Sequence, residues 1–333
     1  MGVGACAAPG WFIVMLRALR RGELGPTDVD ELFRDATRAV VADQLDAGLD
    51  ILSDGELRRQ RFVYEMYQHI DGLERKPPSR RIGITGYDMT PSFLATGRLE
   101  APNGFGLVDE LHAVTDFAGG RPVKIALPGP LTFLGAIEPG AAGHDAVIED
   151  VVRLVTNELC AAAAAGARYL QLDEPMLAHP PGGLGVDAGV RLINRCLEPL
   201  DEYTAVHVCF GNNAGRPMAN RRFSRLLEGM NRLRCDQLVL EFANRELGEI
   251  EILAALRPDL DIAAGVVDVK NFFVESAEDV AERLKTCLAH VAPERLTVTA
   301  DCGFSALPRH IAQAKLHALG AGARKARAEL GVS

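Results

Sequence analysis

The sequence predicts an α/β fold, a closed (β/α)8 TIM barrel, and three observations carry that expectation. Short apolar runs alternate with helical segments of about ten or more residues along most of the chain, a spacing that forces the strands to pair in parallel. About eight such runs can be counted, and a length of 333 residues suits one barrel. Finally, a polar or reactive residue stands where nearly every apolar run stops, which is where barrels of this kind carry their sites. An open doubly wound sheet shares the alternation. However, no Gly-x-Gly-x-x-Gly follows the first strand and no Walker loop occurs, so nucleotide binding has little support. Residues 1–333 are read as a single barrel domain with an irregular excursion around 58–119.

In chain order, Met1 to Phe12 reads as a first strand running into a loop at Pro9-Gly10-Trp11. A helix follows over about Thr27 to Ala47, with Thr27 or Asp28 as its cap. The strand from Gly48 to Ser53 ends in Asp54-Gly55-Glu56, where Gly55 permits a sharp turn. The excursion has no sustained period, although Arg81 to Tyr87 fits an edge strand. Regularity returns with the strand Pro122 to Leu127 and the turn Pro128-Gly129-Pro130. Helices are expected near Asp145–Ala165, Val186–Leu197, Ala219–Leu233, Glu249–Leu256, Ala277–His290 and Pro308–Glu329. Between them lie strands at Tyr169–Leu172, Ala205–Val208, Gln237–Leu240, Asp261–Val267 and Arg295–Ala300.

Composition narrows the partners. The net charge is −9 with no basic block, which argues against nucleic acid, since phosphate binding needs clustered Lys and Arg. Seven cysteines are scattered without tight pairs, no cleavable leader is visible, and no run approaches the ~20 apolar residues of a membrane span. The expectation is a cytoplasmic protein with reduced thiols and no membrane partner. Cys6, Cys160, Cys196, Cys235 and Cys287 read as small core fillers.

The chemistry is expected at Ala205-Val206-His207-Val208-Cys209. Side chains two apart on a strand share a face, so His207 and Cys209 can reach one ion. Glu241 and Cys302 end two further apolar strands. Helix capping explains a carboxylate at such a place, but the two cysteines cap nothing. Two thiolates, an imidazole and a carboxylate form a borderline-soft set suited to Zn²⁺. Glu241, the hardest and most weakly held donor, is the ligand expected to exchange for a small-molecule thiol. That thiol then loses its proton near neutral pH and attacks an alkyl carbon. Glu56 and Asp173 are candidates to hold an ammonium group and orient a small amino acid; capping or a salt bridge explains them equally well. Asp268 and Lys270 follow the seventh strand. Lys270 is a candidate to donate a proton or orient an anion, against the default of a solvated rim lysine.

These residues together resemble the catalytic domain of the cobalamin-independent methionine synthase family, in its short, core-only form. The resemblance rests on Asp54-Gly55-Glu56, Pro128-Gly129-Pro130-Leu131-Thr132, Gln171-Leu172-Asp173-Glu174-Pro175, His207-Val208-Cys209, Glu241, Gly265-Val266-Val267-Asp268 and Asp301-Cys302-Gly303. It implies zinc held by His207, Cys209, Glu241 and Cys302, and homocysteine held near Glu56 and Asp173. It also implies methyl transfer to the homocysteine sulfur to give methionine, with methyltetrahydrofolate or a methylated corrinoid as donor. A related zinc enzyme alkylating another thiol or a natural-product nucleophile is the alternative. The chain departs from the family pattern at Gly4-Ala5, where an early Gly-Ser is usual. It departs also at Gly135-Ala136, near His179, and at Lys270, where the long form carries a Trp, an acidic residue and a His.

Overall fold

The structure, a computed structural model, describes residues 1–59, 62–78, 90–212 and 219–331. Its strands, among the described residues, are β1 (Asp71–Lys76), β2 (Ser92–Glu100), β3 (Ile125–Pro128), β4 (Ile137–Glu138), β5 (Tyr169–Asp173), β6 (Tyr203–Val208), β7 (Gln237–Glu241), β8 (Asp261–Val267) and β9 (Leu296–Ala300). Six of them form one parallel sheet in the order β3-β5-β6-β7-β8-β9.

Two further segments complete the ring through individual bonds rather than long ladders. Leu52 bridges Val123 in parallel, its N–H donating to Pro122 O at 2.9 Å while Lys124 N–H donates to Leu52 O at 2.8 Å. Residues 1–6 lie beside this segment, with Cys6 N–H to Gly55 O at 3.0 Å and Ser53 Oγ to Gly4 O at 2.8 Å. On their other flank the Met1 amine donates to Val298 O at 2.9 Å and Phe304 N–H to Ala5 O at 2.7 Å. The expected barrel is therefore present, with its first two staves hydrogen-bonded but nearly ladderless.

Side-chain parity decides what each strand contributes. Tyr169, Ala205, Val239 and Ala263 join Met1 and Val3 in a small inner cluster. The alternate residues, among them Leu170, Leu172, Val206, Val208, Leu238 and Leu240, belong to the large outer core under the helices. The helix His144–Ala164 shows the matching pattern, burying Val147, Val151, Val155 and Leu159 at four-residue spacing. Each such side chain contributes roughly 1.5–3 kcal/mol relative to exposure. Continuing the inner parity toward the strand ends gives Gln171, Asp173, His207, Cys209 and Glu241, which sets the site inside the barrel mouth.

Several boundaries differ from expectation. Gly10–Arg20 is a helix, although the sequence suggests a loop at Pro9-Gly10-Trp11 and no element between there and Thr27. Phe12 and Leu16 are buried against Leu32, Ala36 and Val40, while Trp11, Ile13 and Val14 on the same turn are exposed, and that exposure hides the amphipathic period. The next helix starts at Pro26, with Asp28 accepting from Gly25 N–H at 2.9 Å. The helix expected over 219–233 shrinks to a 3-10 turn at Phe223–Arg225 and a single turn at Leu227–Met230, and Ile250–Ala255 is also 3-10. The excursion holds an antiparallel β1–β2 pair, extended by β4 in parallel to β2, and the helix Leu107–Thr115. The edge strand expected at Arg81–Tyr87 lies outside the described residues. No helix among the described residues is long and apolar enough to cross a membrane.

Candidate metal centre and substrate cavity

A cavity of about 560 Å³ opens at the C-terminal ends of the strands. That volume suits a small-molecule ligand. Glu56, Arg59, Asp173, His207, Cys209 and Cys302 are among the residues that line it.

His207, Cys209 and Cys302 come from β6, the residue just past its end, and the loop after β9. One ligand atom from each of the three residues lies within 4.8 Å of the others. His207 Nδ1 is hydrogen-bonded to Asp173 Oδ1 at 2.9 Å, and Nε2 is buried with no partner among the described residues. Asp173 and His207 are register partners on β5 and β6, so this contact follows directly from parallel pairing. A carboxylate on one ring nitrogen fixes the tautomer and leaves the other nitrogen free to ligate. Gln171 Nε2 donates to the same Asp173 oxygen at 2.7 Å, and Gln171 is itself held by Lys124 Nζ at 2.6 Å. Burial pulls the His207 imidazole down, but the Asp173 hydrogen bond and the neighbouring Cys302 lift it above its ordinary value. The Cys302 thiol is pushed well up by its hydrogen bond with Cys209 and by burial. A cation beside the Cys302 sulfur would favour its thiolate.

Glu241 ends β7 on the inner face and is fully buried. It stands outside the three-residue cluster: Oε2 accepts from Lys270 Nζ at 2.5 Å, and Oε1 has no partner among the described residues. Lys270 is therefore no solvated rim lysine, since its side chain is as buried as that of Glu241. Burial lowers its pKa, and the Glu241 carboxylate more than reverses that. The oxygens of Asp268 are engaged by Lys270 N–H at 2.7 Å, by Asn244 Nδ2 at 3.1 Å and by Asn271, which makes Asp268 an organiser of the loop after β8. Asp301, beside Cys302, accepts from Phe242 N–H and Ala243 N–H at 2.9 Å each, and so fixes the backbone that follows Glu241.

On the other side of the cavity, Gly55 adopts φ +79° as its position in the turn requires, and Glu56 follows at φ +56°. The second value is uncommon for a residue with a Cβ. A Cβ on Gly4 would lie 2.1 Å from Glu56 Oε1, so a larger residue there would push that carboxylate out of its present place. Burial raises the Glu56 carboxyl to about 7, with Asp173 and Asp54 adding to the rise and Arg59 opposing it. Arg59 is a further cavity residue that the sequence pattern does not single out. Its Nε pairs with Glu110 at 3.0 Å, its Nη2 donates to Ala126 O at 2.8 Å, and its Nη1 has no partner among the described residues. The signal for it was the three-residue step from Glu56, which places a guanidinium beside a candidate ammonium binder.

The residues present suit a soft divalent ion: two adjacent sulfurs, a free and oriented imidazole nitrogen, and a fourth donor one strand away. The family model for the cobalamin-independent synthase catalytic domain matches residues 13–325. The methionine synthase of Saccharolobus solfataricus is 28% identical over 329 residues, which is 98% of this chain and 94% of that protein. That of Pyrococcus furiosus is 29% identical over 331 residues, 98% of this chain and 92% of the relative. The B12-independent methionine synthase from Shewanella sp. W3-18-1, solved in complex with selenomethionine, superposes with a TM-score of 0.83. It is 25% identical and covers 99% of this chain and 97% of its own. A putative vitamin-B12 independent methionine synthase from Listeria monocytogenes shares the fold with a TM-score of 0.71 at 20% identity, covering 97% and 96%.

Proposed function

The chain belongs to the cobalamin-independent methionine synthase family, a family of methyltransferases, and from that premise we propose that it makes methionine by zinc-dependent methyl transfer to homocysteine. The observation that carries the reading is the meeting of His207, Cys209 and Cys302 within 4.8 Å at the wall of the substrate-sized cavity. Zn²⁺ held there by these residues and Glu241 would supply one thing, a thiol ionised at neutral pH.

The protein's own groups do the rest. Asp173 keeps His207 in the ligating tautomer. Glu56 takes the substrate ammonium, for which a carboxyl near 7 is poised to ionise. Arg59 offers its unpartnered Nη1 to the substrate carboxylate, a contact that does not need the serine missing at Ala5. The reaction forms a bond from the homocysteine sulfur to the methyl carbon and breaks the bond from that carbon to its donor. The electron pair leaves with the donor, and the thiol proton is released to solvent. The methyl donor is a methylfolate or a methylated corrinoid. The selenomethionine bound to the Shewanella relative fits a product of this shape. The residues together compose a single barrel domain that acts in the cytoplasm.

The test is incubation of zinc-loaded protein with homocysteine and, in separate reactions, methyltetrahydrofolate or methylcobalamin, with methionine measured by mass. Methionine from either donor supports the reading. No methionine from either, with alkylation of a different thiol, replaces homocysteine as the acceptor. No zinc bound by purified protein refutes the mechanism.

A further inference from the structure

Glu241 and Lys270 pair where neither side chain reaches solvent. Lys270 Nζ holds Glu241 Oε2 at 2.5 Å, and Phe210 N–H adds a longer contact of 3.5 Å to the same oxygen. The ammonium is carried by a braced loop. Lys270 N–H donates to Asp268 Oδ1 at 2.7 Å, Asp268 N–H donates to Glu275 Oε1 at 2.8 Å, and Lys315 Nζ holds the other Glu275 oxygen at 2.8 Å. Glu241 ends β7, immediately beside β6, which carries His207, yet it stands apart from the cluster of His207, Cys209 and Cys302. The carboxylate thus has two available partners, the metal position and the lysine, and the structure shows it on the lysine.

We propose that Lys270 is a latch for Glu241, the resting place the carboxylate occupies when a substrate thiol takes its position among the ligands. This rests on the zinc reading above. A carboxylate displaced inside a water-free wall and left unpaired is costly, because a buried charge without a partner has lost its solvation. A fixed ammonium already in contact with the carboxylate removes that cost. Lys270 therefore weakens the four-ligand state and strengthens the thiol-bound state by the same factor, since linkage is reciprocal. It is a positioning residue, acting through Glu241.

The experiment is Lys270→Met, with zinc affinity measured by competition against a chromophoric chelator and L-homocysteine affinity measured by titration of the Co²⁺-loaded protein's absorption. In the variant, zinc without thiol should bind more tightly and homocysteine more weakly. Each change should fall within the about 5- to 150-fold range typical of such couplings. Lys270→Arg should restore both constants toward wild type. If the Met variant does not fold, Lys270→Gln carries the same test. A structural role would lower both affinities together or neither. Weaker zinc binding in the variant overturns the latch and makes Lys270 an ordinary support for a metal-bound Glu241; unchanged constants overturn it too. Wild-type protein that binds no zinc refutes the function itself, so the two failures are distinguishable.

Discussion

Asp173→Asn isolates the role of one buried hydrogen bond at constant size. In the wild type, a single carboxylate oxygen receives His207 Nδ1 at 2.9 Å and Gln171 Nε2 at 2.7 Å. The amide has one acceptor for these two donors, and its NH2 can face the imidazole. If it does, His207 is driven to the other tautomer, with its proton on the nitrogen that must ligate. Even when the amide oxygen faces the ring, the bond loses its charge assistance, which roughly doubles the strength of such contacts. Loss of an outer carboxylate of this kind typically costs 10- to 100-fold in metal affinity, or about 1.4–2.7 kcal/mol. The assay is zinc competition with a chromophoric chelator at fixed pH, with wild type and Cys302→Ser in parallel. A wild-type zinc constant for Asp173→Asn, alongside clear loss in Cys302→Ser, would refute the claim that Asp173 orients the imidazole.

Cys302→Ser itself should sharply reduce zinc content, read by elemental analysis after purification; wild-type content would remove Cys302 from the metal set. Glu56→Gln should raise the KM for homocysteine about 10- to 100-fold with a smaller effect on kcat, as expected for a charged hydrogen bond worth ~1.5–3 kcal/mol. L-methionine binding to the wild type should tighten between pH 6 and 8 as Glu56 ionises through about 7. Calorimetry should find that rise absent in Glu56→Gln, and a rise of equal size in both proteins would exclude Glu56. Glu174 is buried, accepts from Leu131 N–H at 3.0 Å and Thr132 Oγ1 at 2.7 Å, and is raised by burial from 4.5 to about 8. Between those values the folded chain keeps a proton the unfolded chain has released. The stabilisation is complete below 4.5 and is lost as pH rises through about 8, at up to about 1.4 kcal/mol per pH unit. Urea midpoints for Glu174→Gln should therefore improve relative to wild type from pH 5 to 8.5, and parallel curves would contradict the assignment.

The barrel was legible in the sequence wherever a strand is buried on both faces, because an unbroken apolar run with a polar stop survives any context. The helix at Gly10–Arg20 was not legible: Trp11, Ile13 and Val14 are apolar yet exposed, so hydrophobicity and burial diverge on that helix. At the site, parity alone placed His207 with Cys209, and the structure brings Cys302 to them. Partnerships between elements were out of reach of single-strand reasoning. In the sequence Asp173 fits a substrate contact, a helix cap or a salt bridge equally well, and its bond to His207 appears only when β5 and β6 are set in register. For Lys270 the sequence leaves open a proton donor or anion orienter against a solvated rim lysine, because the loop after β8 carries no period from which its inward turn can be inferred.

The charge distribution at the barrel mouth explains why these placements coexist. Asp54, Glu56, Asp173, Glu174, Glu241 and Asp301 are all buried at the ends of the strands. Arg59, Lys124 and Lys270 are the buried cations named among them. Burial raises the carboxyls of Glu56, Glu174 and Asp301 into the neutral range and lowers Lys124 to about 7. Such a mouth resists full ionisation by itself. A dication beside the sulfurs and an ammonium beside Glu56 each relieve part of that cost, so metal and amino acid should bind cooperatively, through the electrostatics of one shared cavity.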